Sequence, residues 1–275
     1  MKETALLYSG GTDSTCAAAL AAGDFDRVHL LTFSRFGVFS ISHSEVNVKK
    51  LREKFGEDKF VHRIINVDKL FKEVSYSNYL DNLRRHGFFL LTTCGLCKLA
   101  MHFRCLVYCL ENDIKSVSDG ANKNMDYAPD QIRELIEELR KMYSRRGIEY
   151  TSPVYEMAHP DDIEWFDKLG VGRLSGPGEK KESGCVTTGE KLYQMGIFPE
   201  KNMKGTPDDR KMQARCFQLV LANIFANWLY LPGNKLEDFK KECVSLYREK
   251  IVRFDRMVDE YKERKIKSRL FRLIA

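Results

Sequence analysis

Apolar and polar positions follow two regimes along the chain. Short apolar runs at Glu3–Tyr8, Val28–Phe33, Phe60–Val67, Ile114–Ser118 and Glu149–Tyr155 read as strands. Between them lie segments of helical character: the alanine-rich Ser14–Ala22, then Glu45–Phe55, the irregular Leu70–Phe89, Lys98–Asn112, and the amphipathic Gln131–Arg146 with Gly147 as its C-cap. Strands that alternate with helices predict the α/β class, here a doubly wound, five-stranded parallel sheet with helices on both faces. Arg173–Gly189, rich in Gly, Ser and Lys, reads as a long loop. After Asp208 the pattern is helical only, with an apolar Arg210–Leu229 and a long, charged Lys235–Ile274. The expected organisation is one α/β domain over 1–207 and a C-terminal helical region over 208–275.

The 275 residues are 43% hydrophobic, enough to bury a large core. No run of about 18 apolar residues and no basic, then apolar leader is present, so a soluble, cytoplasmic chain with no membrane partner is expected. Eight irregularly spaced cysteines argue against a disulfide framework and for a reducing compartment, which leaves thiols free to bind metals or act as nucleophiles. The net charge of +6 permits a polyanionic partner without demanding one. Histidines are scattered with no H-x-x-x-H pair, which argues against a His-based zinc hydrolase.

Directly after the first strand comes Ser9-Gly10-Gly11-Thr12-Asp13-Ser14. Glycines there let backbone N–H groups approach an anion at a helix N-terminus. Ser9, Thr12 and Ser14 add hydroxyl donors, and Asp13 can hold Mg²⁺. No Gly-Lys-Ser/Thr ends the loop, so it is not a Walker A, nor is it G-x-G-x-x-G. The hexapeptide resembles the S-G-G-x-D-S signature of the PP-loop (N-type) ATP pyrophosphatases. That resemblance implies an adenine nucleotide alpha-hydrolase-like fold that cleaves ATP·Mg²⁺ between its α and β phosphates and adenylates a substrate oxygen. It implies a catalytic role for Asp13 and an adenine site at Thr32 and Phe33, at the end of the second strand. The segment Ser118 to Asp126 is similar to the family's D-G-[TA]-N-x-x-D pattern, which assigns Gly120, Asn122 and Asp126 to the nucleotide.

Cys94-Gly95-Leu96-Cys97 opens a helix, where both sulfurs face one point and the helix dipole favours thiolates. From the residues alone zinc, an iron–sulfur cluster and a redox pair stay open. Cys185 is the candidate third ligand and Cys216, Cys105 or Cys109 a fourth; Cys105 and Cys109, at i, i+4 on an apolar helix, suit the core, as do Cys16 and Cys243. Cys94, Cys97 and Cys185 occur in the order of the sulfur-inserting family members, in which three cysteines hold a 4Fe-4S cluster with one iron open. The resemblance, which covers roughly residues 1–190, thus implies an ATP-dependent sulfur transferase acting on a tRNA base or a small molecule, with Cys94, Cys97 and Cys185 catalytic. Its sulfur donor is unspecified.

Two departures keep alternatives in view. The flanking RNA-binding or zinc modules of the tRNA-thiolating members are missing. The Asp119–Asp130 segment also resembles 7-cyano-7-deazaguanine synthases, amide- or nitrile-forming ligases, but their C-x-x-C-x-x-C zinc motif is missing after Cys185. A non-catalytic ATP-binding module with structural zinc is the third reading. His102, near the C-x-x-C helix, is expected to be a packing residue. Arg215 and Cys216, on the expected Arg210–Leu229 helix, could face the site from the C-terminal region, which the sequence alone does not show. The basic Lys262–Arg272, with aromatic and aliphatic residues interleaved, suits docking on its own chain, with RNA contact and a homodimer as the other uses.

Overall fold

Five strands hydrogen-bond side by side in one parallel sheet: β1 (Glu3–Leu7), β2 (Arg27–Ser34), β4 (Phe60–Asn66), β5 (Ser116–Asp119) and β6 (Glu149–Thr151), in the order β4-β2-β1-β5-β6. The structure is a computed structural model and describes residues 1–87, 94–123, 129–158, 186–203, 206–217, 221, 231–233 and 235–275. The chain begins at the central strand, builds outward through β2 and β4, and returns to the other side of β1 with β5. That reversal opens a crevice at the carboxyl ends of β1 and β5, where doubly wound sheets place their ligands. Leu7, the last residue of β1, is in register with Leu31 of β2 and Asp119 of β5.

The period of two in β1 sends alternate side chains to opposite faces. Ala5 and Leu7 join a core with helices α3 (Asp68–Tyr76), α5 (Cys94–Glu111) and α6 (Arg133–Ser144). Leu6 and Tyr8 join the other, with α1 (Thr12–Asp24), α2 (Ser44–Phe55) and α7 (Thr188–Gln194). Five buried alanines on α1 let its backbone lie close to the sheet. The expected α/β class and doubly wound parallel sheet are what the structure has.

The C-terminal α9 (Leu236–Arg264) contributes Phe239, Leu246, Tyr247, Ile251 and Phe254 to the first core. Phe254 stacks on Phe103 of α5 with ring centroids 3.8 Å apart and planes 3° from parallel. Beyond it, α10 (Arg269–Ile274) is capped by Ser268, whose hydroxyl accepts from the Phe271 N–H. The helix expected over Lys235–Ile274 is therefore two, divided at Lys265, where φ is +43°. Leu70–Phe89 is likewise divided, by Asn78 at φ +61°, into α3 and α4 (Tyr79–His86).

Two expectations are corrected. The helix expected over Arg210–Leu229 is interrupted: the single turn α8 (Asp209–Met212) is followed by β7 (Arg215–Cys216), which pairs antiparallel with β3 (Val38–Phe39), and Phe217 and Leu221 are again helical. A ladder to a distant segment overrides the local preference for helix, and 218–220 and 222–230 lie outside the described residues. The loop expected over Arg173–Gly189 ends early: Thr187 caps α7 through a reciprocal pair with Glu190, so Thr188 and Gly189 are helical. No helix among the described residues is long and apolar enough to cross a membrane.

If α9 belongs to the cooperative core, Phe254→Ala should lower the unfolding free energy by about 3–5 kcal/mol, as other large core truncations do. Equilibrium urea unfolding checks this, and a loss below about 1 kcal/mol would mean that the helix is docked peripherally.

Candidate active site

The loop after β1 is organised before any ligand arrives. Gly10 has φ +85°, and a Cβ there would lie 2.4 Å from the Met212 carbonyl oxygen and 2.7 Å from Ser44 Cα, so only glycine fits. The hydroxyls of Ser9 and Ser14 are 3.1 Å apart, the Ser14 hydroxyl donates to Gly11 O at 3.1 Å, and the Gly11 N–H donates to Ser9 Oγ at 3.3 Å. Asn47 of α2 donates to Gly10 O at 2.8 Å. The loop therefore leads into the N-terminus of α1 in a fixed shape, which favours an anion there. Asp13, in the first turn, accepts from the Thr188 hydroxyl at 2.7 Å, which ties α7 to the loop. Thr32 is buried, donates to Tyr8 O at 2.9 Å and lies 2.8 Å from His62 Nε2.

The loop after β5 meets α1 directly. A Cβ on Gly120 would fall 2.6 Å from the Ser14 nitrogen and 2.8 Å from its Cα, so this glycine permits backbone to lie on backbone. Asp119, just before it, is fully buried and accepts from Ala121 N–H (3.1 Å), Tyr150 OH (3.0 Å) and Ser152 OH (2.8 Å), with Lys98 Nζ at 3.1 Å. Burial alone would raise its carboxyl, but Lys98, His102 and these donors hold it below the usual range. Burial likewise opposes the Lys98 charge, and Asp119 and Asp130 more than offset it. Asn122 is buried, and its N–H donates to Gln131 Oε1 at 2.8 Å.

Cys94 and Cys97 sit on the first turn of α5. Gly95 between them accepts from Tyr247 of α9 at 2.5 Å, and a Cβ there would be 2.8 Å from Pro129 Cβ. The C-terminal helix thus braces the C-x-x-C turn. The third described sulfur on this wall is Cys216 of β7. Arg35, one residue past β2, donates from Nε to Cys97 Sγ at 2.7 Å and from Nη2 to Cys216 Sγ at 3.2 Å. Burial lifts the Cys97 thiol to about 11, Arg35 opposing the rise, so the free sulfur is mostly protonated at neutral pH. The seven described cysteines are free thiols, and Cys16, Cys105, Cys109 and Cys243 are packed in the cores.

The glycine loop, the sheet end, the loop after β5 and the C-x-x-C turn border one cavity of about 460 Å³. Ser9, Gly11, Thr12, Asp13 and Ser14 line one side, Thr32 and Phe33 the sheet end, Gly120 and Asn122 a third part, and Cys94, Cys97 and Cys216 the sulfur wall. Gly10 instead packs beneath Met212. Asp126 and Cys185 lie outside the described residues. Arg35, Lys98, Asp130 and Gln213 line the same cavity and were missed as functional candidates. Two of them had a signal: Arg35 follows the carboxyl end of a strand, and Lys98 follows Cys97.

Among the described residues, no group of three or more His, Cys, Asp or Glu side chains is placed to hold a metal ion. The wall's donors are nonetheless all sulfur, the set that iron–sulfur clusters take, and a cluster spreads its thiolates around a cube instead of around one ion. The Arg35 N–H groups can remain as outer donors to such sulfurs, so the donor chemistry fits a cluster.

A scan against protein-family models finds no match to this chain, and a comparison with curated proteins finds none. Among solved structures, the chain is similar to a predicted subunit of tRNA methyltransferase from Methanocaldococcus jannaschii, at 18% identity and a TM-score of 0.38 over 79% of this chain and 97% of that one. It is also similar to the U34-tRNA thiolase NcsA from Methanococcus maripaludis with its 4Fe-4S cluster, at 12% identity and a TM-score of 0.39 over 92% of this chain and 73% of that one. At such scores neither likeness assigns an activity.

His102, on α5 behind the sulfur wall, is packed between Tyr143 and Tyr150. Tyr143 OH donates to the His102 carbonyl at 3.1 Å and so accepts from His102 Nδ1–H at 3.1 Å, while Nε2 has no hydrogen-bond partner among the described residues. Burial and then Lys98 push this imidazole down to about 3. Between its unfolded value of about 6.5 and about 3, the unfolded chain binds a proton that the folded chain excludes, so stability is lost as pH falls through that window. His102→Gln should remove about 2 kcal/mol of the stability difference between pH 7 and pH 5. Urea unfolding of both proteins at the two pH values checks this, and an unchanged difference would contradict it.

Proposed function

We propose that this chain is an ATP-dependent, adenylate-forming sulfur transferase of the PP-loop kind, acting on an oxygen of a tRNA base or of a small molecule. The observation that carries the reading is that the glycine loop and the thiols of Cys94, Cys97 and Cys216 line the same cavity. Its volume, about 460 Å³, lies within the ~300–1,000 Å³ of small-molecule sites.

In this reading Gly11, Thr12 and Ser14 bind the ATP phosphates at the start of α1, with Gly10 shaping the loop. Asp13 holds Mg²⁺, Thr188 orienting its carboxylate. Thr32 and Phe33 meet the adenine, with Gly120, Asn122 and Asp126 completing the nucleotide site. The substrate oxygen attacks the α phosphorus, an O–P bond forms, and the α–β bridge breaks to release pyrophosphate. Lys98, on the cavity wall beside Asp119, supplies positive charge near the reacting phosphate. A sulfide-level nucleophile from an external donor then attacks the activated carbon, the C–S bond forming as the C–O bond breaks and AMP leaves with the oxygen.

Cys94, Cys97 and Cys216 would hold a 4Fe-4S cluster, Cys216 taking the position that sequence order gave to Cys185. When bound, such a cluster supplies one coordination position that no protein ligand fills. Arg35 keeps Cys97 and Cys216 oriented, and Tyr247 holds the turn that carries Cys94 and Cys97.

Iron, zinc and acid-labile sulfide, measured on protein purified without oxygen, test this assignment. Near-stoichiometric iron and sulfide are expected, lost in Cys94→Ala, Cys97→Ala and Cys216→Ala and kept in Cys185→Ala, while Cys97→Ala still binds ATP. Loss in Cys185→Ala with retention in Cys216→Ala would return the third position to Cys185. Zinc or no metal in the wild type would overturn the cluster and favour a ligase or an ATP-binding module.

A further inference from the structure

Arg35 lies outside both sequence motifs and takes no part in the bond changes proposed above, yet it is a charged side chain only 4% exposed. A buried guanidinium is costly unless its N–H groups are used. Here Nη1 donates to Phe36 O at 2.6 Å, and the guanidinium carbon lies 4.6 Å from the centroid of the Phe71 ring. Those contacts anchor it to the turn after β2 and to α3. The other two guanidinium nitrogens donate to sulfurs from distant parts of the chain, Cys97 on α5 and Cys216 on β7.

β7 needs such an anchor. It is two residues long and among the described residues pairs with the two residues of β3, with one flanking bond from Phe217 N–H to Gly37 O at 3.2 Å, a ladder too short to hold a register by itself. The same segment, 209–217, crosses the phosphate loop: Met212 O is what a Cβ on Gly10 would strike, and Gln213 Oε1 lies 2.5 Å from where a Cβ on Gly11 would be. Whatever fixes Cys216 therefore also fixes the strap over the nucleotide site.

We propose that Arg35 is a positioning residue, whose planar fork takes Cys97 on Nε and Cys216 on Nη2 and thereby sets the third sulfur against the C-x-x-C turn. The inference rests on Cys216 belonging to the sulfur wall and is independent of whether ATP is cleaved. A lysine cannot replace the fork, because an ammonium is a point charge on a flexible stem.

Dibromobimane, which bridges two neighbouring thiols, reads the arrangement directly. Full-length protein, reduced and freed of metal by a chelator, is treated with it, and bridged peptides are quantified by mass spectrometry. The ratio of Cys97–Cys216 to Cys94–Cys97 product cancels any change in the reactivity of Cys97 itself. In Arg35→Gln and Arg35→Lys this ratio should fall about tenfold, the factor expected from losing one charge-assisted hydrogen bond. A wild-type ratio in Arg35→Lys would overturn the proposal by showing that charge alone suffices, and this variant decides the matter if Arg35→Gln does not fold. Wild-type protein without iron would end the sulfur-transfer reading and leave the bridging result standing; an unchanged ratio in iron-containing protein would end only the role of Arg35.

Discussion

The contact of Gly120 with the first turn of α1 is the constraint on which the site depends. Two backbone segments lie so close that a single methyl group between them would come within 2.6 Å of the Ser14 nitrogen. The approach follows from strand order, because β5 returns beside β1 with Asp119 in register with Leu7. It brings the end of β5 to the helix that would carry the phosphates. Lys98, one residue past Cys97, is then tied to Asp119 at 3.1 Å, so the C-x-x-C turn cannot move away from the nucleotide loop without breaking a buried ion pair.

Charge is distributed across the cavity in a way that suits chemistry on an anion. Lys98 and Arg35 are both held in the charged form by their neighbours although burial opposes it. Each cation already has partners, carboxylates for one and sulfurs for the other, so both are oriented before substrate arrives. The C-terminal helix takes part indirectly: α9 packs through Phe254 into the core and through Tyr247 against Gly95.

Much of this was legible because it is local. The period of two exposed the strands, and the glycine hexapeptide stood where a strand meets a helix. The two cysteines of the C-x-x-C needed only one turn of helix to become neighbours. Arg35 and Cys216 were not legible as a pair, since 181 residues separate them and the two-residue ladder that brings β7 to β3 leaves no periodic trace. The Arg210–Leu229 run reads as helix throughout, and the break at Arg215–Cys216 was not legible because pairing with a segment about 180 residues away decides it. Residues 159–185, with Cys185 among them, lie outside the described part of the chain.

The position at which ATP is cut tests the central claim most directly. Phosphorus NMR of ATP and Mg²⁺ incubated with the wild-type protein, sodium sulfide as the sulfur source and a candidate acceptor, such as bulk tRNA, distinguishes the products. The account predicts AMP and pyrophosphate in equal amounts. ADP with orthophosphate would contradict it, because cleavage at the γ phosphate cannot produce an adenylated substrate for sulfur to displace.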